Sequence, residues 1–368
     1  MIAYGASCCQ PAVSGRHEAT WADRLRGLMP DMTPRDIAKP QQGHQTGRQP
    51  DHTGRASASR VQVIAGFAVI YIVWGSTYLA IAYAVRSLPP VLTTAARFVV
   101  AGMILCLYAW WRGAPRPVWA EWRAAAIAGA LLVVGGTATV CWAEQWVPSG
   151  LTSLLCATVP LWFVLLEWMA PGGQRPRGLV AAGVALGLVG IAVLTNPFGD
   201  RAADGRVVAA AGVLVLSSIL WAVGSLYSRR AALPESAVLG MGMEMMTGGL
   251  LCIPAGLLIG ERSTVDLAHV PAAAWIAVAF LTFVGCLVAF TTYMWLLRVS
   301  VPSRVATHAY VNPVVAVVLG WAVAGEALTA RMVVAAGLIV GAVVLITSGP
   351  QRVTIGDASH PAFPAEAT

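Results

Sequence analysis

A few ionisable side chains stand in or beside long apolar stretches of this sequence, where a charge is costly. They include Arg97, Glu144, Glu244 and His308. A histidine or a buried carboxylate can take up and release a proton, and an arginine can contact an anion. Glu244, His308 and Glu144 are therefore candidates for proton coupling, and Arg97 is a candidate anion contact. The competing interpretation is a structural role, in which neighbouring carbonyls or hydroxyls satisfy each buried group.

Three glutamates, Glu144, Glu167 and Glu326, lie close to the ends of apolar stretches. At such positions a side chain can extend to the membrane surface or cap a helix, and either role is a simpler explanation than chemistry. Glu144 nevertheless stays among the coupling candidates.

Aromatic, hydroxyl and amide side chains in the apolar stretches form a second group, with the character of a binding cavity. Pro313 leaves the backbone carbonyl one turn earlier without its helical partner, and Asn312 lies beside it. His308 lies one turn from Asn312 on the same helical face. For many of the aromatic residues, packing or an interfacial belt is the alternative. The candidate substrate-binding residues are Trp74, Ser76, Thr77, Trp142, Thr158, Trp162, Trp221, Ser225, Tyr293, Tyr310 and Asn312.

The elements that position these residues are membrane helices. Hydrophobic residues make up 57% of the 368 residues, charged residues 11%, and the mean hydropathy is +0.70. Those values exclude an ordinary soluble domain and predict an all-α integral membrane protein in contact with the lipid bilayer. Ten transmembrane helices are predicted, with approximate bounds 61–85, 90–111, 123–145, 149–170, 178–195, 207–228, 236–259, 271–297, 303–324 and 330–347.

Arginine placement predicts the orientation of these helices. If the N-terminus is cytoplasmic, 13 of the arginines from Arg48 onward fall on the inner side and five in the outer loops. Because cytoplasmic segments carry the positive excess, both termini are predicted to be cytoplasmic. Residues 1–60 have no apolar periodicity and are predicted to be a disordered tail, and residues 349–368 form a second tail.

Internal similarity divides the membrane part into two repeats, 61–195 and 207–348. The stretches that begin at Val147 and Val301 share Val-Pro-Ser and a proline near mid-span, and the fifth and tenth helices share Ala-Ala-Gly-x-x-x-Gly, which is typical of a packing face. Five helices per repeat is an odd number, so the repeats must be inverted relative to each other. When the second and seventh helices are aligned on Leu-Pro and on the small residue that lies five positions after each charged residue, Arg97 corresponds to Glu244. The inversion places these two residues in opposite halves of the membrane, so they are not predicted to form a direct pair.

The motifs together resemble the EamA branch of the drug/metabolite transporter superfamily, whose members have two EamA repeats of five helices. The resemblance covers about residues 61–348. It implies proton-linked or facilitated export of amino acids, other small metabolites or drugs through a central cavity. The fourth helix departs from the pattern, because it ends without the Gly-Glu-x-Leu of the ninth. The motifs are the runs 74–81, 88–90, 97–98, 101–102, 142–150, 310–313 and 325–328.

Several function classes are disfavoured. The only lysine, Lys39, lies in Ala-Lys-Pro, so the chain has no Walker A motif for ATP, and it contains neither GxSxG nor HExxH. No CxxC pair indicates a metal site, and no cofactor or nucleic-acid partner is expected. We therefore expect a secondary transporter rather than an enzyme, exporting small-molecule substrates such as amino acids by alternating access. Proton coupling and oligomeric state are left open, and the alternatives are an intramembrane enzyme or a facilitative channel.

Overall fold

The computed structural model describes residues 59–170, 175–195, 205–261, 269–300, 302–305 and 307–348. Within these ranges the chain is helical and contains no strand, which confirms the all-α prediction for this part of the protein. Both predicted tails lie outside the described residues, apart from Ser59 and Arg60, where the first helix begins with a capping box.

The described ranges contain ten apolar helices, which we number in chain order. Eight of them have the length and hydropathy needed to cross a membrane. The fifth and ninth are apolar but have only 17 residues each, about 25 Å at 1.5 Å per residue. Eight helices thus meet the requirement for a membrane crossing, and the prediction of ten crossings stays a prediction. Their bounds are α1 (Arg60–Val85), α2 (Pro90–Trp111), α3 (Trp119–Gly129, Ala130–Ala138 and Thr139–Ala143), α4 (Ser149–Cys156 and Val159–Met169), α5 (Leu179–Thr195), α6 (Gly205–Ser228), α7 (Ala237–Leu258), α8 (Ala272–Ala279, Phe280–Val288 and Ala289–Val299), α9 (His308–Ala324) and α10 (Ala330–Ser348).

Four of the helices are irregular, and they form two pairs. The middle segments of α3 and α8 are π-helical over nine residues each. Helix α4 is interrupted between Cys156 and Val159, and a one-turn helix, Pro302–Val305, precedes α9. The third and eighth helices are equivalent in the two repeats, as are the fourth and ninth. Each repeat therefore contributes one π-helical segment, and its fourth helix is either divided, as in α4, or preceded by a separate turn, as in α9. Such features recur at functional sites in membrane helices.

The helices pack in pairs that follow the same pattern in both halves. Helix α2 packs along α7, and α5 packs along α10. Helix α1 contacts α8 and α9, while α6 contacts α3 and α4. If each helix is replaced by its equivalent in the other repeat, the contacts of α1 with α8 and α9 become the contacts of α6 with α3 and α4. The two halves therefore interlock, each placing its first helix against the third and fourth helices of the other.

Glycines permit the closest of these contacts. A Cβ atom on Gly102 of α2 would lie 2.5 Å from the Met246 backbone nitrogen of α7, and one on Gly183 of α5 would lie 2.8 Å from the Ala342 carbonyl oxygen of α10. The predicted glycine packing face is thus confirmed at Gly183. Its counterpart Gly337 has open space around it, so the face is not used equally in the two repeats.

Candidate functional site

Polar groups gather where α2 and α4 begin and where α3 and α9 end. Gly325, with φ +66°, ends α9 in the left-handed conformation and so directs the next residue, Glu326, back toward the bundle. The Glu326 carboxylate accepts hydrogen bonds from the Ser149 backbone nitrogen (2.8 Å), the Ser149 hydroxyl (2.7 Å) and the Gly150 backbone nitrogen (3.0 Å). This confirms the capping interpretation of Glu326, which satisfies the first amides of α4 across the two repeats.

A second glutamate caps α2 in the same way. The Glu261 carboxylate accepts hydrogen bonds from the backbone nitrogens of Val91 (3.0 Å) and Leu92 (2.8 Å). Glu261 follows Gly260, whose φ is +84°, just as Glu326 follows Gly325. The sequence did not predict this cap, because Glu261 lies beyond the predicted bounds of the seventh helix, 236–259. The Gly-Glu pair after an apolar helix was the signal that could have found it.

Arg97 and Glu144 are almost completely enclosed. Their exposed fractions are 5% and 6%. Neither Glu144 carboxylate oxygen has a hydrogen-bond partner, and neither does the Arg97 Nε. Glu144 lies within electrostatic range of Glu326 and Arg97, and the Arg97 guanidinium lies 4.9 Å from the centroid of the Phe98 ring. The interpretation of Glu144 as a surface-reaching or capping group is therefore wrong, because its carboxylate faces the interior without capping a helix.

Tyr78 of α1 was not among the predicted site residues, although it closes the Trp-Gly-Ser-Thr-Tyr run. Its hydroxyl contacts the Cys156 thiol at the break in α4, and it lies within electrostatic range of Glu144. Trp142 is one turn before Trp146, and their rings meet edge to face with centroids 4.6 Å apart. Tyr78, Trp142 and Trp146 all pack against the hydrophobic cluster that includes Ala143, the residue before Glu144.

A separate aromatic cluster joins α1, α8 and α9. The Trp74 and Tyr293 ring centroids are 5.3 Å apart, and the His308 ring lies 5.0 Å from Trp74 and 5.7 Å from Tyr293. His308 Nδ1 lies 2.8 Å from the Val305 carbonyl oxygen. Because a carbonyl can only accept, Nδ1 carries the hydrogen and Nε2 is the nitrogen left to accept or bind a proton. The structure therefore brings three predicted site residues together.

Equivalent tryptophans contact both π-helical segments. The Trp74 indole nitrogen donates to the Gly285 carbonyl oxygen of α8 (3.4 Å). In the other half, the Trp221 ring packs on Gly136 of α3, whose added Cβ would lie 2.7 Å from that ring. The Ser217 hydroxyl donates to the Gly136 carbonyl (3.0 Å). A π-helical segment leaves carbonyls displaced from the regular ladder, and these side chains use them.

Most of the other predicted hydroxyl residues bond to their own helix. Ser76, Thr77, Thr158 and Ser225 each donate to a carbonyl three or four residues earlier. This pattern satisfies a hydroxyl in an apolar helix without a ligand. The Trp162 indole nitrogen in turn donates to the Thr158 Oγ1 (3.1 Å).

The remaining predicted residues are divided between bonded and unbonded groups. The Tyr310 hydroxyl donates to the Val343 carbonyl of α10 (3.2 Å) and also contacts Thr347. Glu244 accepts a 2.5 Å hydrogen bond from the Ser228 hydroxyl. Asn312 differs from both, because its Oδ1 is buried without a hydrogen-bond partner. The roles given to these residues in substrate binding and coupling remain predictions.

Comparison with known proteins places this arrangement in a family. The model of the EamA-like transporter family matches residues 62–196 and 209–348. The chain belongs to that family. The resemblance drawn from the motifs is thereby confirmed, and the two matched EamA segments coincide with the two interlocking halves of the helix bundle. The expectation of a transporter rather than an enzyme agrees with this membership.

Individual EamA-like relatives agree over most of their length. The uncharacterized inner membrane transporter YedA of Escherichia coli (strain K12) is 37% identical over 288 residues, which cover 76% of this chain and 89% of YedA. The uncharacterized transporter YoaV of Bacillus subtilis (strain 168) is 22% identical over 76% of this chain and 94% of its own. A crystal structure of another protein, 23% identical, superposes with a TM-score of 0.54 over 79% of this chain and 98% of that chain, which supports the fold.

Proposed function

We propose that this EamA-like protein is a secondary active transporter of the bacterial inner membrane that exports small metabolites, amino acids first among them, by alternating access. YedA is named as an inner membrane transporter and shares 37% of the aligned residues, which supports the location. Both termini are cytoplasmic in this proposal, as the arginine distribution predicts.

The interlocked packing of the two halves is the observation that carries the proposal. Helix α1 contacts α8 and α9, and α6 contacts α3 and α4 in the same manner. Two structurally equivalent halves that share an interface can exchange their conformations, which opens the bundle to one side and then to the other. The π-helical segments of α3 and α8 and the interruptions in α4 and before α9 lie at that interface, where a helix with a displaced hydrogen-bond ladder can bend.

In this proposal all ten helices cross the membrane. Helices α5 and α9 are each about 25 Å long, which is shorter than a hydrocarbon core of about 30 Å. Local thinning of the bilayer accommodates such a mismatch at a modest cost. The turn before α9, Pro302–Val305, adds length at the cytoplasmic end. The inverted five-helix plan then follows, because an odd number of crossings separates the two repeats.

Proton coupling, where it operates, is assigned first to Glu144. Its carboxylate is enclosed and unbonded, whereas the Glu244 carboxylate is engaged by Ser228 and the His308 ring is fixed by Val305, Trp74 and Tyr293. A carboxylate without a fixed donor can alternate between a proton and a substrate group at the lowest cost in lost hydrogen bonds.

The proposal is tested by untargeted mass spectrometry of the medium from cells that overproduce the protein. We expect one class of metabolite to accumulate outside cells with the wild-type chain and less outside cells with Asn312→Ala at equal membrane abundance. Glu167→Gln is the matched control, because Glu167 is exposed at the end of α4. Equal media from wild-type cells and cells without the protein would count against export. A fall in the abundance of Asn312→Ala would instead make Asn312 a structural residue.

A further inference from the structure

Buried charges in this protein fall into two groups according to their hydrogen bonds. Among the described residues, the nearly fully enclosed charged side chains are Arg97, Glu144, Glu244 and Glu261. Glu261 is bonded to two backbone amides of α2 and Glu244 to Ser228. Arg97 and Glu144 have no hydrogen bond to any described residue. Since an unsatisfied buried charge is among the most destabilising features a protein can keep, this pair requires a reason.

The two charges do not satisfy each other. They interact electrostatically, yet no nitrogen of Arg97 comes within 4 Å of a Glu144 oxygen, the limit for an ion pair. The neighbours of Arg97 within electrostatic range include the thiols of Cys141, Cys252 and Cys286, which are weak hydrogen-bond acceptors. The Arg97 Nε and both Glu144 oxygens are thus left without a hydrogen-bond partner, although the two side chains lie within electrostatic range of each other.

We propose that Arg97 and Glu144 form a zwitterion-binding pair, in which Arg97 receives the carboxylate of the transported solute and Glu144 its ammonium group. Charge-assisted hydrogen bonds of about 2.8 Å on each side require the protein charges to be separated by more than an ion-pair distance, as they are here. The inference rests on the proposed transport function and narrows its substrate class to free amino acids and related zwitterions.

The surrounding charges explain why the site would reject solutes with one charge. Glu326 lies close to Glu144 but already holds three donors of α4, so it adds negative potential without offering a free oxygen. An anion without an ammonium group would be repelled by this negative potential, because it has no positive charge to offset it. A cation without a carboxylate would leave the buried guanidinium unpaired. Only a solute with both charges satisfies both groups at once.

The test measures exchange in proteoliposomes made with the purified full-length protein. Vesicles are loaded with the twenty common amino acids, the same mixture labelled with ¹³C is added outside, and labelled amino acids inside are measured by mass spectrometry. We expect at least one amino acid to exchange through the wild-type protein. For that amino acid, blocking the amine by N-acetylation or the acid by amidation should lower exchange at least tenfold.

Variants separate the two charges. Glu144→Gln should lose exchange of the free amino acid. The N-acetyl derivative uses only Arg97, so this variant should exchange it at the same low rate as the wild-type protein. Arg97→Gln should show the reverse preference and spare the amide derivative. Glu144→Asp and Arg97→Lys keep the charges and should retain part of the preference. Glu167→Gln, in an exposed glutamate, serves as the control and should behave as wild type. If a Gln variant does not fold, the variant that keeps the charge at that position, Glu144→Asp or Arg97→Lys, is compared with the wild type instead.

Three results would overturn the pair. These are no exchange of any amino acid, exchange of the derivatives as fast as the parent, or equal losses for all probes in both Gln variants. The medium assay distinguishes such a failure from failure of the transport function. Export of a metabolite with one charge or none would leave the transporter intact and refute the zwitterion pair. Neither export nor exchange would refute both.

Discussion

Replacing Glu326 should destabilise the protein by an amount that its three hydrogen bonds set. Glu326→Gln keeps one acceptor oxygen and exchanges the other for an NH₂ group, which cannot accept. If the remaining oxygen takes the two donors of Ser149, the Gly150 amide faces this NH₂ group unpaired. Ser149 and Gly150 are buried, so the amide cannot turn to water. The lost bond to a charged group costs about 2 kcal/mol.

The alanine variant removes every acceptor. Glu326→Ala leaves the Ser149 amide, the Ser149 hydroxyl and the Gly150 amide without their partner, and it removes a negative charge from the N-terminus of α4. We expect it to cost about 4 kcal/mol, roughly twice the glutamine value, because at least two donors then lose a bond to a charged group instead of one. Gly320→Ala should act in the same direction without changing any charge, since its Cβ would lie 2.5 Å from the Glu326 Oε2.

Thermal unfolding of the purified proteins in one detergent, followed by tryptophan fluorescence, gives the measurement. At roughly 2–4 °C per kcal/mol, Glu326→Gln should lower the midpoint by about 4–8 °C and Glu326→Ala by more. Glu167→Gln makes the same chemical change at an exposed site and should stay within about 1 °C, since surface substitutions cost little. Equal midpoints for Glu326→Ala and Glu167→Gln would show that the cap does not stabilise α4, and the reasoning would fail.

Three other outcomes are expected. Gly102→Ala should lower membrane abundance, because its Cβ would meet the α7 backbone at 2.5 Å, whereas Gly212→Ala, with open space around it, should be tolerated in an immunoblot of membranes. Ser228→Ala should lower the thermal midpoint by a few degrees, since the enclosed Glu244 carboxylate loses its hydrogen bond; an unchanged midpoint would mean that Glu244 finds another donor. Asn312→Ala should reduce export at unchanged abundance, as measured in the medium assay.

Hydropathy predicted most of the fold, because apolar length is a property of each segment alone. The predicted bounds of the second helix, 90–111, coincide with those of α2, where Pro90 starts the helix. The π-helical segments of α3 and α8 were not predicted, since hydropathy does not report which carbonyl an amide bonds to. The glycines in them, including Gly136 and Gly285, were visible in the sequence but are compatible with several helix geometries.

The site was predicted less well, because its contacts depend on which helices meet. Alignment of the repeats made Glu244 the equivalent of Arg97. In the structure Glu244 is bonded to Ser228, whereas Arg97 lies within electrostatic range of Glu144. The alignment did not predict the second of these contacts. Glu144 was judged by its distance from the end of an apolar stretch. The structure shows that the end of α3 is covered by other helices, so position along one helix did not decide exposure. Burial here is a tertiary property.

The two repeats share their packing but not their polar chemistry. Helices α2 and α7 both end at a glycine with positive φ, Gly113 (+86°) and Gly260 (+84°). The residue after Gly260 is Glu261, whose carboxylate caps the start of α2. The residue after Gly113 is Ala114, which has no carboxylate. The start of α7 is instead capped by Ser236, whose hydroxyl accepts from the Leu239 backbone nitrogen at 3.4 Å. Glu261 and Glu326, which each cap a helix other than their own, both belong to the second repeat and cap helix starts of the first. A role found for one residue therefore cannot be transferred to its repeat equivalent, and each charged group needs its own variant.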